Sequence, residues 1–426
     1  MNKAAICAVA IFILVFGLIS RRLEKSIVTP PMAYVLFGLL IGSPAIGLIS
    51  DVKLNNEILK ILAEITLSIV LFTDASRIKL KVLRQEYQLP MRLLAVSLPI
   101  TIVLGTALAL ILFPNQLNLW SAAALATILA PTDAALGQAV VNSSRIPASI
   151  RQAINIESGL NDGICLPVLL LFLALATEQS DTAIYWLTFT TEQIAFGVIV
   201  GLLVGYCGIK LIVASLRRKW MTSSFEDLAI LGLSILAYTS AEIIGGNGFI
   251  AAFCAGLILG FVGTKSTSSC LQEFGEAEGQ LLTLVTFLLY GAVMVIPSIT
   301  EASWQVWLYA LASLTVVRIV AVAIAFFGLK LQLDSILFVG WFGPRGIASI
   351  VYGLLILEKN LPSGELMFTT MAVTVSISVF AHGMTAFPGA IWYAKRISNK
   401  EDIHERMPEM SPVEELPVRL PWKQQR

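Results

Sequence analysis

The sequence predicts an all-α membrane protein that crosses the bilayer many times, and two observations carry this prediction. Of its 426 residues, 57% are hydrophobic and only 13% are charged, whereas a soluble domain carries about 25% charged residues. Apolar runs long enough to span a bilayer also recur along almost the whole chain. The formal net charge of +1 gives no reason to expect nucleic acid or an acidic partner.

Thirteen apolar runs can be counted, and we predict one transmembrane helix from each. They cover approximately 3–20, 31–49, 55–75, 91–113, 119–141, 150–176, 184–214, 226–245, 248–263, 280–299, 304–329, 335–357 and 366–393. The fifth run is interrupted by Pro131-Thr132-Asp133, and the twelfth by Gly343-Pro344-Arg345-Gly346. Because Pro lacks an amide donor and Gly relaxes the backbone, both runs are predicted to be broken helices.

The distribution of Lys and Arg predicts the orientation of the chain. Basic residues follow the first run and then recur in alternate loops, as the positive-inside rule requires of cytoplasmic loops. The loops predicted inside contain Arg21, Arg22, Lys25, Arg77, Lys79, Lys81, Arg84, Arg145, Arg217, Arg218, Lys219, Lys265, Lys330, Lys395 and Arg396. The N-terminus is therefore predicted outside. Residues 397–426 are predicted to form a cytoplasmic polar tail, and their composition predicts disorder.

The positions of the two breaks predict an inverted repeat. If about 1–176 and about 226–393 are two repeats linked by the helix of the seventh run, each break lies in the fifth run of its repeat. The broken runs are seven spans apart, an odd number, so the repeats have opposite orientations in the membrane. Paired broken helices in inverted repeats are typical of a secondary transporter with its site near the bilayer midplane.

Polar residues in the sixth run predict the site itself. Ser158 and Asp162 are four residues apart and share a helix face, with Asn161 beside them. Their oxygens are hard donors that suit Na⁺, Li⁺, K⁺ or a proton rather than a soft metal. An ionised Asp at mid-membrane costs roughly 2.5–3.5 kcal/mol, so we predict that Asp162 binds the ion or the proton. The alternative is a structural carboxylate held by hydrogen bonds.

Three further residues are candidate ligands. Thr132 and Asp133 lie at the break in the fifth run, where Asp133 could instead cap a helix end. Asp74 closes the third run and is either a ligand, an entry residue or a boundary acid near Arg77.

Neither a metal centre nor an enzyme is predicted. The chain has two histidines and five widely spaced cysteines, without metal-ligand spacing, so no cofactor is expected. A membrane-embedded aspartyl protease using Asp133 and Asp162 would need Tyr-Asp and Gly-x-Gly-Asp settings, which do not surround these residues.

Charged residues inside the apolar runs predict ion pairs. Glu157 is five residues from Asp162 and points away from the Asp162 face, while Arg345 is a permanent cation that needs a carboxylate. We therefore predict a structural pair between Glu157 and Arg345. Arg345 with Asp133 is the competing pair. Arg318 and Glu242 either form a further pair or each find other partners.

At these residues the sequence resembles sodium/proton antiporters of the monovalent cation:proton antiporter-1 family, close to its NhaP-type members. The resemblance rests on Ala130-Pro131-Thr132-Asp133, on Glu157-Ser158-Gly159-Leu160-Asn161-Asp162-Gly163 and on Gly343-Pro344-Arg345-Gly346. It implies a thirteen-helix inverted-repeat fold, a homodimer and elevator-like alternating access. It also implies that Asp162 carries the cation or proton and that Asp133, Ser158, the Thr132 carbonyl and Asp74 help to ligate it.

The predicted function is antiport of a monovalent cation for protons in the cell (inner) membrane. Na⁺ is the favoured cation, with Li⁺ or K⁺ as alternatives, and the Asn-Asp pair of the family is associated with electroneutral exchange. A K⁺/H⁺ antiporter, an organic-solute carrier or a channel are the alternative functions. Two departures from the family pattern are Ala134 after Thr132-Asp133, where Pro is frequent, and Asp74, where Glu is frequent.

Overall fold

The structure is a computed structural model, and within its described residues every regular element is a helix. It describes residues 3–23, 26–42, 46–47, 57–76, 88–133, 136–176, 183–262, 265–359, 361–398 and 409. The basic residues between 77 and 84, and all of the predicted tail apart from 397, 398 and 409, lie outside these ranges.

The first eight helices cover the first half of the chain. They are α1 Lys3–Leu23, α2 Pro30–Gly42, α3 Glu57–Ser76, α4 Gln88–Leu112, α5 Leu119–Ile128, α6 Gln138–Val141, α7 Ala148–Ala176 and α8 Ala183–Arg217. The second eight are α9 Ser223–Ile243, α10 Gly248–Val262, α11 Lys265–Val293, α12 Val295–Glu301, α13 Trp304–Ala325, α14 Leu333–Trp341, α15 Ile347–Glu358 and α16 Gly364–Ser398. Each of the thirteen predicted runs coincides with one of these helices or with two consecutive ones.

The protein is a multi-pass membrane protein. Six described helices are each long and apolar enough to cross a membrane, and the bent pair Gly279–Val293 and Val295–Glu301 gives up to seven. The number thirteen stays a prediction, because several runs are divided into helices too short to span a bilayer singly.

Both predicted breaks are confirmed. In the fifth run, α5 ends at Ile128 and α6 begins at Gln138, with Pro131 between them. In the twelfth run, α14 ends at Trp341 and α15 begins at Ile347. The backbone is therefore non-helical at both breaks. Each break leaves amide and carbonyl groups at the adjoining helix ends without helical hydrogen bonds, and these groups need other partners.

Two π-helical segments occupy matching places in the two predicted repeats. Leu93–Ser97 lies within α4 and Ser313–Val317 lies within α13, and these helices correspond to the fourth predicted run of each repeat. Pro99 follows the first segment and lacks the amide that a regular α-helix would use. Such segments are frequent at functional sites because they re-aim side chains, and the second segment ends immediately before Arg318.

Glu409, which lies in the predicted tail, has a fully buried side chain. Its Oε1 accepts hydrogen bonds from the Gln332 amide at 2.7 Å and from Ser335 Oγ at 2.9 Å. Its carbonyl accepts a hydrogen bond from Ser149 Oγ at the start of α7. Gln332 makes no side-chain cap for α14, so Glu409 supplies the carboxylate that this helix start favours.

Candidate functional site

The two breaks are in direct contact through Asp133. Its amide donates to the Pro344 carbonyl at 2.7 Å, and its Oδ2 accepts from the amide of Ile347 at 3.2 Å. Ile347 is the first residue of α15, so Asp133 caps a helix of the other predicted repeat rather than its own. Gly346 is required here, because a Cβ at this position would overlap the Asp133 carboxylate.

Polar residues of α7 meet Thr132 at the same place. Thr132 Oγ1 lies 3.0 Å from Ser158 Oγ and accepts a hydrogen bond from Asn161 Nδ2 at 2.7 Å. All three side chains are buried. Asn161 Oδ1 has no hydrogen-bond partner among the described residues. This buried oxygen can therefore accept a bond from water or bind a cation without disrupting the network.

Asp162 lies on the same face of α7 and is 7% exposed. Its carbonyl accepts a hydrogen bond from the Tyr352 hydroxyl at 2.7 Å, which joins α7 to α15. Asp74 is 9% exposed and lies beside α7 at Gly159, where a Cβ would be 3.9 Å from the Asp74 Cβ. The structure therefore brings α3 and its acid to the helix that carries Asp162.

The predicted ion pair between Glu157 and Arg345 is wrong. Glu157 pairs with Arg318, with Nη1 to Oε1 at 2.6 Å and Nη2 to Oε2 at 2.7 Å. Arg318 directly follows the π segment of α13, and its planar guanidinium matches the carboxylate in a two-bond arrangement. Arg318 and Glu242 therefore each have another partner, which is one of the two alternatives expected for them. Glu242 Oε1 instead accepts from the Gly248 amide at the start of α10, at 2.8 Å.

Arg345 binds main-chain carbonyls instead of Glu157. Its Nη1 donates to the carbonyls of Ala130 and Pro131, the latter at 3.1 Å. The break after α5 frees these carbonyls from helical bonding, and a cation near such a helix end is favourable. Arg345 is fully buried, and its own amide donates to Ser378 Oγ at 2.6 Å. The two breaks thus cap each other, with Asp133 at one helix end and Arg345 at the other.

His382 is a buried, hydrogen-bonded histidine. Its Nδ1 lies 3.0 Å from Ser378 Oγ, the hydroxyl oxygen that accepts the hydrogen bond from the Arg345 amide. The side-chain atoms that meet at the two breaks and could coordinate an ion are the oxygens of Thr132, Asp133, Ser158 and Asn161. The chemistry of the cluster is therefore that of a hard monovalent ion or a proton.

Sequence reasoning missed the roles of Ser349 and Tyr352. Ser349 Oγ donates to the Ile128 carbonyl at 2.7 Å, and Tyr352 reaches the Asp162 carbonyl. The signal was present in the spacing, because Arg345, Ser349 and Tyr352 are four and three residues apart, as on one face of a helix. Their targets could not be predicted, since all are main-chain carbonyls.

Two broken helices that cap each other beside a buried cluster of oxygen donors define a secondary ion transporter of the membrane. Sequence comparison identifies the family. A family model described as "Sodium/hydrogen exchanger, transmembrane" matches residues 9–392, and the chain belongs to this family.

Known relatives agree with this assignment. The chain is 25% identical to the K⁺/H⁺ antiporter NhaP of Alkalimonas amylolytica, over 93% of this chain and 67% of the relative. It is 24% identical to the low-affinity Na⁺/H⁺ antiporter NhaS1 of Synechocystis, over 88% and 76%. Other relatives are longer, and the chain spans between 34% and 45% of three fungal Na⁺/H⁺ antiporters, one of them described as probable.

The fold is similar to that of a solved structure. It matches the sodium proton antiporter MjNhaP1 from Methanocaldococcus jannaschii at pH 8 with a TM-score of 0.73 and 19% identity. The match covers 89% of this chain and 98% of the other. The predicted NhaP-type fold with broken helices is confirmed.

Proposed function

We propose that this protein exchanges a monovalent cation for protons across the cell membrane, with both bound at Asp162. The observation that carries the proposal is the position of Asp162. It lies on the same helix face as Ser158, and Ser158 and Asn161 both contact Thr132 at the break. Ligands to the cation would be Asp162, Asp133, Asn161, Ser158 and Thr132, with Asp74 contributed from α3.

The charges at the two breaks and on α7 support binding of a cation or a proton. Glu157 and Arg318 neutralise each other as a buried pair. Arg345 then offsets only part of the negative charge of the carboxylates of Asp133, Asp162 and Asp74, and a bound Na⁺ or proton reduces the negative charge that is left. A bare carboxylate is costly to carry through the hydrocarbon region, so reorientation is favoured only after the site is filled. Competition for one site couples the two gradients and gives electroneutral exchange.

The remaining features of the proposal rest on the family resemblance and on the loop charges. We propose elevator-like alternating access, a homodimer, an inner-membrane location and an N-terminus outside. Na⁺ is the favoured cation. K⁺ is the second candidate, because one relative of high coverage is named a K⁺/H⁺ antiporter and another a Na⁺/H⁺ antiporter.

The proposal is tested in proteoliposomes that contain a pH-sensitive dye, to which Na⁺, Li⁺ and K⁺ are added in turn. We expect cation-dependent proton flux from the wild type and none above the empty-liposome background from Asp162→Asn. The matched control is Asp334→Asn, the same change at an acid that pairs with the exposed Arg396 near the end of α16. Full exchange activity of an Asp162→Asn variant that is present in the membrane would overturn the proposal. A wild type that shows no proton flux with any of the three cations would also overturn it.

A further inference from the structure

Side chains of α15, and Arg345 just before it, donate hydrogen bonds to main-chain carbonyls of the first predicted repeat. Arg345 binds the carbonyls of Ala130 and Pro131, Ser349 binds that of Ile128, and Tyr352 binds that of Asp162. The first three carbonyls belong to the end of α5 and its break. The fourth belongs to the residue that carries the ion in the proposed function.

The main chain of α7 at Asp162 has few local constraints of its own. Gly159 and Gly163 lie on either side of Asp162, and glycine is a weak helix former. Pro167 lies within α7 and cannot donate to the carbonyl of Gly163. A Cβ at Gly163 would lie 2.6 Å from the Phe253 ring, so the glycine is needed for close packing. Contacts with neighbouring elements therefore contribute to the position of Asp162.

Tyr352 is placed to provide that constraint. Its side chain is fully buried, and a hydroxyl 2.7 Å from the Asp162 carbonyl transmits the position of α15 to α7. The start of α15 is in turn fixed by Asp133, whose carboxylate accepts from the amide of Ile347. A continuous set of contacts thus connects Asp133, the rigid helix α15 and Asp162.

We propose that Tyr352 is a positioning residue that determines cation-size selectivity by holding Asp162 at a fixed distance from the break at Thr132 and Asp133. The inference rests on the proposed function. Small cations need short oxygen contacts at well-fixed positions. When the residues that support a site are loosened, binding of small cations is therefore weakened most. Loss of the hydroxyl therefore weakens Li⁺ and Na⁺ binding more than K⁺ binding.

The test is the ratio of KM values for Na⁺ and K⁺ in proteoliposomes, compared between the wild type and Tyr352→Phe. One hydrogen bond corresponds to a change of about three- to tenfold in an equilibrium constant, so we expect KM for Na⁺ to rise by about that factor. KM for Li⁺ should rise at least as much, while KM for K⁺ and kcat change by less than about twofold, since the carboxylate itself is intact.

The control is Tyr309→Phe. Tyr309 is also fully buried and also donates to one carbonyl, that of Gly105 at 3.2 Å, but this bond joins α13 to α4 and involves no proposed ligand. It should lower yield by a similar amount and leave the Na⁺ to K⁺ ratio unchanged.

The outcomes separate this inference from the proposed function. If Tyr352→Phe reduces the amount of inserted protein, the KM ratio still reports on the site, because it does not depend on protein amount. An unchanged ratio in Tyr352→Phe, or an equal change in Tyr309→Phe, overturns the positioning role. A wild type without exchange overturns the proposed function instead.

Discussion

Arg318 and Glu157 form a two-bond ion pair in which each side chain is only 1% exposed. The pair joins α13 to α7 five residues before Asp162. Because both charges are buried, each depends on the other for most of its compensation. The pair is therefore a structural link between α13 and α7 next to the proposed ion site.

Removing one partner of this pair should be far more damaging than removing both. We expect Arg318→Gln to lower the free energy of unfolding by about 3–5 kcal/mol, because it leaves a buried carboxylate uncompensated. The double variant Arg318→Gln, Glu157→Gln should recover most of this loss. Unfolding of the purified protein in detergent measures the effect, and two single losses that simply add in the double variant would contradict the pairing.

Features that depend on local chemistry can be predicted from this sequence. Both breaks were predictable, since the effects of Pro131 and Gly343-Pro344 act on the backbone at their own positions. The shared face of Ser158 and Asp162 follows from helical spacing alone. The contact between Asp133 and α15 is different, because it depends on how two segments more than 200 residues apart cross.

The partner of Glu157 was mispredicted for a physical reason. Two arginines could pair with Glu157. The sequence does not show that one of them donates hydrogen bonds to the carbonyls freed by the break at Pro131. Arg345 binds those carbonyls, which leaves Arg318 for Glu157. The burial of Glu409 was missed for a related reason: the average composition of a segment does not reveal a single side chain that caps a distant helix.

The contact between the breaks predicts a strong effect of Gly346→Ala. The added Cβ would overlap the Asp133 carboxylate, so Asp133 must move away from the amide of Ile347. We expect at least a tenfold loss of exchange activity at equal protein amount, as is typical when a site is displaced by about 1 Å. Gly232→Ala is the control, since nothing lies within 4 Å of its Cβ position. Equal activity in both variants would contradict the reciprocal capping.

Competition for Asp162 predicts the pH dependence of cation binding. As the pH falls, protons occupy a growing fraction of the carboxylate, so the apparent KM for the cation should rise while kcat at saturating cation stays constant. In the acid range the rise should approach about tenfold per pH unit, the limit for one competing proton. Initial rates at several pH values measure this. A fall in kcat with an unchanged KM would instead indicate that the proton binds elsewhere.

The burial of Glu409 predicts a stabilising role for a residue far from the site. Glu409→Ala removes the carboxylate that accepts from Gln332 and Ser335, and leaving a buried donor without its acceptor costs about 1–3 kcal/mol. We expect a lower midpoint of thermal unfolding in detergent, with the KM for the cation unchanged. The control is Glu301→Ala, at an exposed acid that ends α12. If Glu409→Ala unfolds at the same temperature as this control, the residue does not anchor the tail to α14. If it shifts the KM as well, the anchor is coupled to α7, whose first turn holds the Glu409 carbonyl through Ser149.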